Sequence, residues 1–179
     1  MDGHYIRKVL NGDTEAFSYL VTTYKHMAFS IAIAVLKDEF LAEEAVQNAF
    51  IGAFRNLGSF HQQAKFSTWF YRIVTNESLM LLRKSKREPV TFTSDYDDEI
   101  ADDSPVLSMQ QQEQQHLVNQ GLQLLPPNES LALRLFYLEE ESIKNVCDIT
   151  GWTTSNTKVI LHRARKNLGQ VINQLSKTA

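Results

Sequence analysis

The apolar residues Phe17, Leu20, Val21, Tyr24, Met27, Ala28, Ile31 and Val35 recur at steps of three and four, the spacing that gathers side chains into one stripe of an α-helix. A short helix from about Tyr5 to Leu10 precedes it. Asn11, Gly12, Asp13 and Thr14 then supply a break, in which Asp13 or Thr14 caps the long helix. A further helix is predicted from about Glu39 to Leu57, with Leu41, Ala45, Ala49 and Phe50 among its buried residues. Its acidic first turn suits the helix dipole, and Gly58 is placed to end it. After a loop from Ser59 to Lys65, the stretch from Phe66 to Arg87 forms one continuous helix. Phe66, Phe70, Ile73, Val74 and Leu81 fall on its apolar side, and Lys65, Arg72, Asn76, Arg83 and Arg87 fall along another. Pro89 closes this first unit.

The helical pattern resumes from Gln110 to Leu125, turns at Pro126, Pro127 and Asn128, and continues from Glu129 to Leu138. A helix-turn-helix follows. Ile143, Val146, Cys147 and Thr150 make the inner face of a short helix, Gly151 takes the left-handed turn, and Thr153 or Thr154 caps the last helix. On that helix Thr157, Ile160, Leu161, Ala164, Leu168, Val171, Ile172 and Leu175 share one stripe. Ser155, Val159, His162, Arg163 and Lys166 point outward, with Lys158 and Arg165 at the borders. Small polar groups followed by cations are the layout of a recognition helix entering a major groove. The alternative is an ordinary amphipathic helix with a basic solvent face.

β-Branched alternation is scarce, so the fold class is all-α, arranged as two small helical domains. Residues 1–88 make the first and residues 110–179 the second. Residues 89–109 carry Asp95, Asp97, Asp98, Glu99, Asp102 and Asp103 with few large apolar groups, the composition of a flexible acidic linker.

Charge changes this picture in one respect. The net charge of −3 would argue against nucleic acid if it were evenly spread, but it is segregated. Between Ala45 and Arg87 the sole acid is Glu77, against Arg55, Lys65, Arg72, Arg83, Lys84, Lys86 and Arg87, and from Ile149 onward there are no acids. One cysteine, Cys147, permits no internal disulfide, and the five histidines show no metal-site pairing, so no metal or cofactor is expected. No apolar run approaches a membrane span in this reading and no signal peptide opens the chain, so a cytoplasmic protein is expected.

The motifs resemble bacterial sigma factors of the extracytoplasmic-function group. GDTEAF, DEFLAEEAVQNAF and FSTWFYRIVTNESLMLLRKSKR resemble sigma region 2, and LQLLPPNESLALRLFYLEEESIKNVCDITGWTTSNTKVILHRARKNL resembles region 4. The resemblance spans about Asp13 to Leu168, without room for the additional regions of housekeeping sigma factors. It implies an alternative sigma factor that binds core RNA polymerase and promoter DNA, is held by an anti-sigma factor, and performs no catalysis. It also implies that Glu43, Glu44, Gln47 and Phe50 dock on the polymerase, although core packing explains Phe50 equally well.

For the minus-ten element the resemblance implies Asn76 and the loop bearing His61, Gln62 and Gln63, with Phe60 or Phe66 available for stacking and Trp69 more naturally core. Lys65, Arg72, Arg83 and Arg87 would hold the backbone. In region 4 the implied DNA-facing residues are Ser155, Asn156, Lys158, Val159, His162, Arg163 and Lys166. Departures from the family pattern are Ile160 at a position often cationic, Cys147 at a small-residue position, and Leu79 within the polar stripe. A stand-alone helix-turn-helix regulator is the alternative, and it leaves the first domain unexplained.

Overall fold

Asp13 and Asp38 decide where the first two long helices begin. The computed structural model describes residues 1–61, 63–87 and 109–178. Gln62, the acidic stretch 88–108 and Ala179 lie outside them, as do the side chains of Arg87, residues 109–112 and Thr178. Helix α1, Asp2–Leu10, starts earlier than the pattern predicts, because Asp2 accepts the Tyr24 hydroxyl at 2.6 Å and Tyr5 stacks on Tyr19. Asp13 accepts the Ala16 N–H at 3.2 Å and opens a 3₁₀ turn that runs into α2, Phe17–Leu36. Asp38 accepts the Leu41 N–H at 2.8 Å and opens α3, Glu39–Arg55. Gly58 does not end α3 as expected. The helix stops at Arg55, Asn56 Nδ2 donates to the Gly52 carbonyl at 2.9 Å, and Gly58 lies in the following 3₁₀ turn. Helix α4, Phe66–Arg87, has its predicted bounds.

Helices α2, α3 and α4 pack pairwise into a bundle with α1 laid against α2. The inward face of α3 is Ala42, Ala45, Ala49 and Ala53, all fully buried, and side chains that small let α3 approach both neighbours closely. Bulk comes from α4, whose Phe70 meets Phe50 at 4.5 Å between ring centroids. Ser78, also buried on α4, donates its hydroxyl back to the Val74 carbonyl at 2.8 Å.

The second half comprises α5, Met109–Leu124; α6, Pro127–Leu133, continued by a π-helical turn, Arg134–Leu138; α7, Ile143–Thr150; and α8, Thr154–Thr178. Pro127 occupies the first helical position of α6, where its fixed φ fits and its missing N–H has no partner to lose. Gly151 adopts φ 77° between α7 and α8, the left-handed turn that its sequence position requires. Thr153, rather than Thr154, caps α8 by accepting the Asn156 N–H at 3.2 Å.

The sequence leaves the relative placement of the two halves open, and the structure packs them together. Leu131 and Leu135, from α6 and its π turn, and Val146 and Ile149, from α7, join the apolar cluster of the first half. A separate cluster of Leu122, Leu125, Ala132, Leu133, Ile160, Leu161 and Ala164 holds α5, α6 and α8 to one another. Helix α6 therefore buries two faces, one on α2 and one on α8, and α7 is likewise shared between α4 and α8. This explains why Ile149, absent from the predicted inner face of α7, is buried.

It also bears on one helix whose length and composition the sequence reading did not weigh. The 23 residues Thr14–Leu36 are long and apolar enough to cross a bilayer by length and composition. Their apolar end, Ile31 to Leu36, is instead buried on every side within the protein.

Helices α5 and α8 meet at Gly121, where an added Cβ would lie 2.8 Å from Leu168 Cδ1 and 3.4 Å from Ile172 Cγ1. The Leu168 tip can swing aside for one methyl group but not for a branched side chain. Gly121→Val is therefore expected to lower stability by about 1–3 kcal/mol, with Gly121→Ala costing less, in urea unfolding of the full-length protein.

Candidate nucleic-acid and polymerase interfaces

On α4 the burial of Phe66, Phe70, Val74 and Leu81 turns Arg72, Asn76 and Arg83 outward together, with Lys65, Lys84 and Lys86 also exposed. Among the described residues none of these cations has an ion-pair partner. A row of unpaired cations on one helix is suited to an array of phosphates. Leu79 interrupts the row as expected, half-buried against the core.

The loop before α4 presents His61 and Gln63 to solvent. It rests on an aromatic wall. Phe60 packs edge-on to Phe66 with ring centroids 5.7 Å apart and lies 5.3 Å from Trp69. Phe66 is buried and unavailable as a stacking platform, which corrects one of the two expected candidates. Its ring is enclosed by Tyr24, Trp69 and Phe70. Phe60 and Trp69 stay half-exposed beside it.

Helix α8 follows the predicted two-sided layout. Ser155, Asn156, Lys158, Val159, His162, Arg163 and Lys166 are exposed, while Thr157, Ile160, Leu161 and Ala164 are buried. Ile160, at the position where a cation is common, faces the core and does not reach the outer surface. Arg163 differs from its neighbours, because its Nε donates to Glu129 Oε1 at 2.7 Å while Asn167 Nδ2 donates to Glu129 Oε2 at 2.7 Å. Glu129 is only 2% exposed, so Arg163 is engaged in holding α6 to α8. Arg165 likewise donates to the Tyr137 hydroxyl at 2.9 Å. Lys158, His162, Lys166 and, in the last turn, Lys177 remain as the outward basic groups without a partner among the described residues.

The outer face of α3 carries what the sequence reading missed. Glu43 and Gln47 are exposed and Glu44 half-exposed, but Phe40, Ile51 and Phe54 are also exposed, by 74%, 48% and 40%. Phe40, Glu44, Gln47, Ile51 and Phe54 follow one another at steps of four and three, a seam on one side of the helix. That spacing was available in the sequence, but the reading of this face considered only Glu43, Glu44, Gln47 and Phe50. Phe50, on the other side, packs against Phe70 and Phe17 and is half-buried.

Among the described residues no group of three His, Cys, Asp or Glu side chains is placed to hold a metal. Cys147 contacts the Thr157 hydroxyl at 3.3 Å, a small filler between α7 and α8.

Comparison with known proteins finds relatives of both halves of the chain. The chain matches Sigma-70 region 2 over residues 20–88 and Sigma-70 region 4 over residues 116–168. It is 30% identical to the ECF RNA polymerase sigma factor SigW of Bacillus subtilis, over 95% of this chain and 96% of that one. It is 27% identical to the ECF RNA polymerase sigma-E factor of Escherichia coli K12, over 95% and 93% of the respective chains. The fold is similar to CnrH in complex with the cytosolic domain of CnrY, with TM-score 0.66 and 18% identity over 95% and 96% of the two chains. It is also similar to RpoE in complex with the anti-sigma factor NepR from Bartonella quintana, with TM-score 0.70 and 21% identity over 88% and 96%.

Arg163 and Lys166 lie one turn apart on α8 and have different duties. Arg163→Ala leaves the buried Glu129 carboxylate with one donor fewer and is expected to cost about 1–3 kcal/mol of stability. Lys166→Ala is expected to change stability by less than about 0.5 kcal/mol. Chemical denaturation of the two variants at equal ionic strength checks the difference.

Proposed function

The chain belongs to the extracytoplasmic-function sigma factors, and on that premise we propose how its surfaces divide the work of an alternative sigma factor, which brings core RNA polymerase to promoters. The outer face of α3 docks on the polymerase. The observation that carries this reading is the exposed seam of Phe40, Ile51 and Phe54 around Glu44 and Gln47, an apolar strip that solubility does not require and a partner helix would fill. Glu43 and Glu44 set its charge preference toward a basic partner.

The first domain, residues 1–88, engages the minus-ten element. Asn76 and the loop bearing His61, Gln62 and Gln63 read bases over the platform of Phe60 and Trp69, while Arg72, Arg83 and the neighbouring lysines hold the strand backbone. The second domain, residues 110–179, engages the minus-thirty-five element through α8. Ser155, Asn156, Val159 and His162 face the bases, and Lys158 and Lys166 face phosphates. The chain acts by binding alone, in the cytoplasm with the polymerase, and an anti-sigma factor is the partner that would restrain it. The structural neighbours bound to CnrY and NepR support that last assignment by their fold.

Replacing Glu44 and Gln47 together by lysine is expected to weaken core polymerase binding by about 2 kcal/mol, seen in competition with another sigma factor while helicity and thermal stability hold. Undiminished competition would overturn the docking surface. For the promoter, Asn76→Ala is expected to alter base preference at the minus-ten element. Lys158→Ala or Lys166→Ala should lower affinity across sequences and reduce the salt slope by about one unit each. A promoter-mutation matrix measured at several salt concentrations separates the two kinds of effect, and an Asn76 variant with unchanged base preference would contradict the assignment.

A further inference from the structure

The outer strip of α3 has an end-to-end symmetry that docking on a polymerase does not call for. Phe40, Glu44, Gln47, Ile51 and Phe54 are separated by steps of four, three, four and three. That is two heptads, the period at which one helix lies along another. Gln47 stands exposed at the centre. Phe40 and Phe54 lie seven positions to either side of it, both aromatic and exposed by 74% and 40%. Turned end for end, the strip keeps its outline, with an aromatic ring at each end and an amide between them. The fully buried alanine face behind it holds α3 close to α2 and α4, so the strip is presented on a rigid support.

Charge is distributed unevenly along the same helix, and this selects one direction of pairing. The first turns hold Glu39, Glu43 and Glu44, whereas from Ala45 to the end of α3 the only charged residue is Arg55. Two copies of α3 lying parallel would set the three acids against their own counterparts. Lying antiparallel, they set each acidic end along the end that bears Arg55, and the two helix dipoles oppose. Gln47 then meets Gln47 of the second copy. A primary amide both donates and accepts, so the two can satisfy one another. Phe40 comes level with Phe54 of the second copy, and Glu44, half-exposed on its own helix, falls toward the rim near Ile51 of that copy. One polar residue within an apolar helix pairing fixes its register in this way.

We propose that a second copy of this chain occupies the strip, giving a two-fold dimer in which the α3 helices lie antiparallel with Gln47 on the axis. The interface is isologous, so each copy gives and receives the same contacts. Three large apolar side chains per copy on a helix of 17 residues make a small contact beside that of a permanent dimer. The dimer therefore dissociates with a Kd on the order of micromolar. Its consequence rests on the proposed function, because the face it buries is the one assigned to the polymerase. Dimer and polymerase complex exclude one another, and copies in excess of free polymerase cover their own apolar strips by mass action.

Sedimentation velocity of the full-length chain from about 1 to about 200 μM is expected to show a reversible passage from monomer to dimer. Ile51→Glu changes an exposed side chain and adds an acid to the strip, and it is expected to weaken the dimer about tenfold or more with helicity retained. Cysteine pairs in a Cys147→Ser background read the direction. Gln47→Cys is expected to give a disulfide-linked dimer on oxidation with diamide. Phe40→Cys and Phe54→Cys chains, mixed in equal amounts, are expected to link to each other and not to themselves, because the two positions stand about 21 Å apart along α3. The Gln47→Cys dimer is expected to lose competition for purified core polymerase and to regain it on reduction. A chain that stays monomeric over the whole range leaves the strip to other occupants and would overturn the proposal, as would Phe40→Cys chains that link to themselves. A disulfide-linked dimer that competes as well as its reduced form would overturn the mutual exclusion. Failure of the unsubstituted chain to bind core polymerase would overturn the functional reading instead, and sedimentation and cross-linking would still judge the dimer.

Discussion

The last two turns of α2 carry apolar side chains on every side, and a helix of that kind must be covered on every side. Ile31 and Val35 are covered by the bundle to which the amphipathic stripe of α2 belongs. Ile33 and Leu36 are buried as well, on a helix that also meets α6, and this is where the two halves of the chain come to share a core. The two-faced burial of α6 and the unexpected burial of Ile149 on α7 both belong to that shared core.

A second constraint is the division of α3 into an alanine face and an aromatic face. Ala42, Ala45, Ala49 and Ala53 bring the helix close to α2 and α4, so that nothing larger fits inward along that line. Phe40, Ile51 and Phe54 are left outside, where they form a strip with Glu44 and Gln47. The same economy governs charge. Cations on α4 stand in an acid-poor segment, whereas on α8 two of the six basic side chains, Arg163 and Arg165, are tied to the protein's own Glu129 and Tyr137. The basic face of α8 left without internal partners is accordingly smaller than its cation content implies, and among the described residues consists of Lys158, His162, Lys166 and Lys177.

Much of the fold was legible in the sequence. The bounds of α4, the left-handed Gly151 and the two-sided layout of α8 each follow from local periodicity and turn chemistry, which depend on residues within a turn or two. What escaped depends on residues far apart. Ile149 is buried by contacts with the first half that no local pattern encodes, and the apolar run at the end of α2 has the same cause. Arg163 counted as an outward cation because Glu129 lies 34 positions away. Phe66 was open to reading as a base platform until its neighbours Tyr24, Trp69 and Phe70 enclosed it. Gly58 misled for a different reason: Asn56 ended α3 first.

Run-off transcription with purified core polymerase over genomic templates tests most directly that this chain directs the polymerase to promoters. The account predicts discrete new start sites, each preceded by a shared pair of sequence elements, that appear only when the protein and the polymerase are both present. Tight binding of the protein alone to specific DNA, with the start sites and activity of the polymerase unchanged, would contradict it.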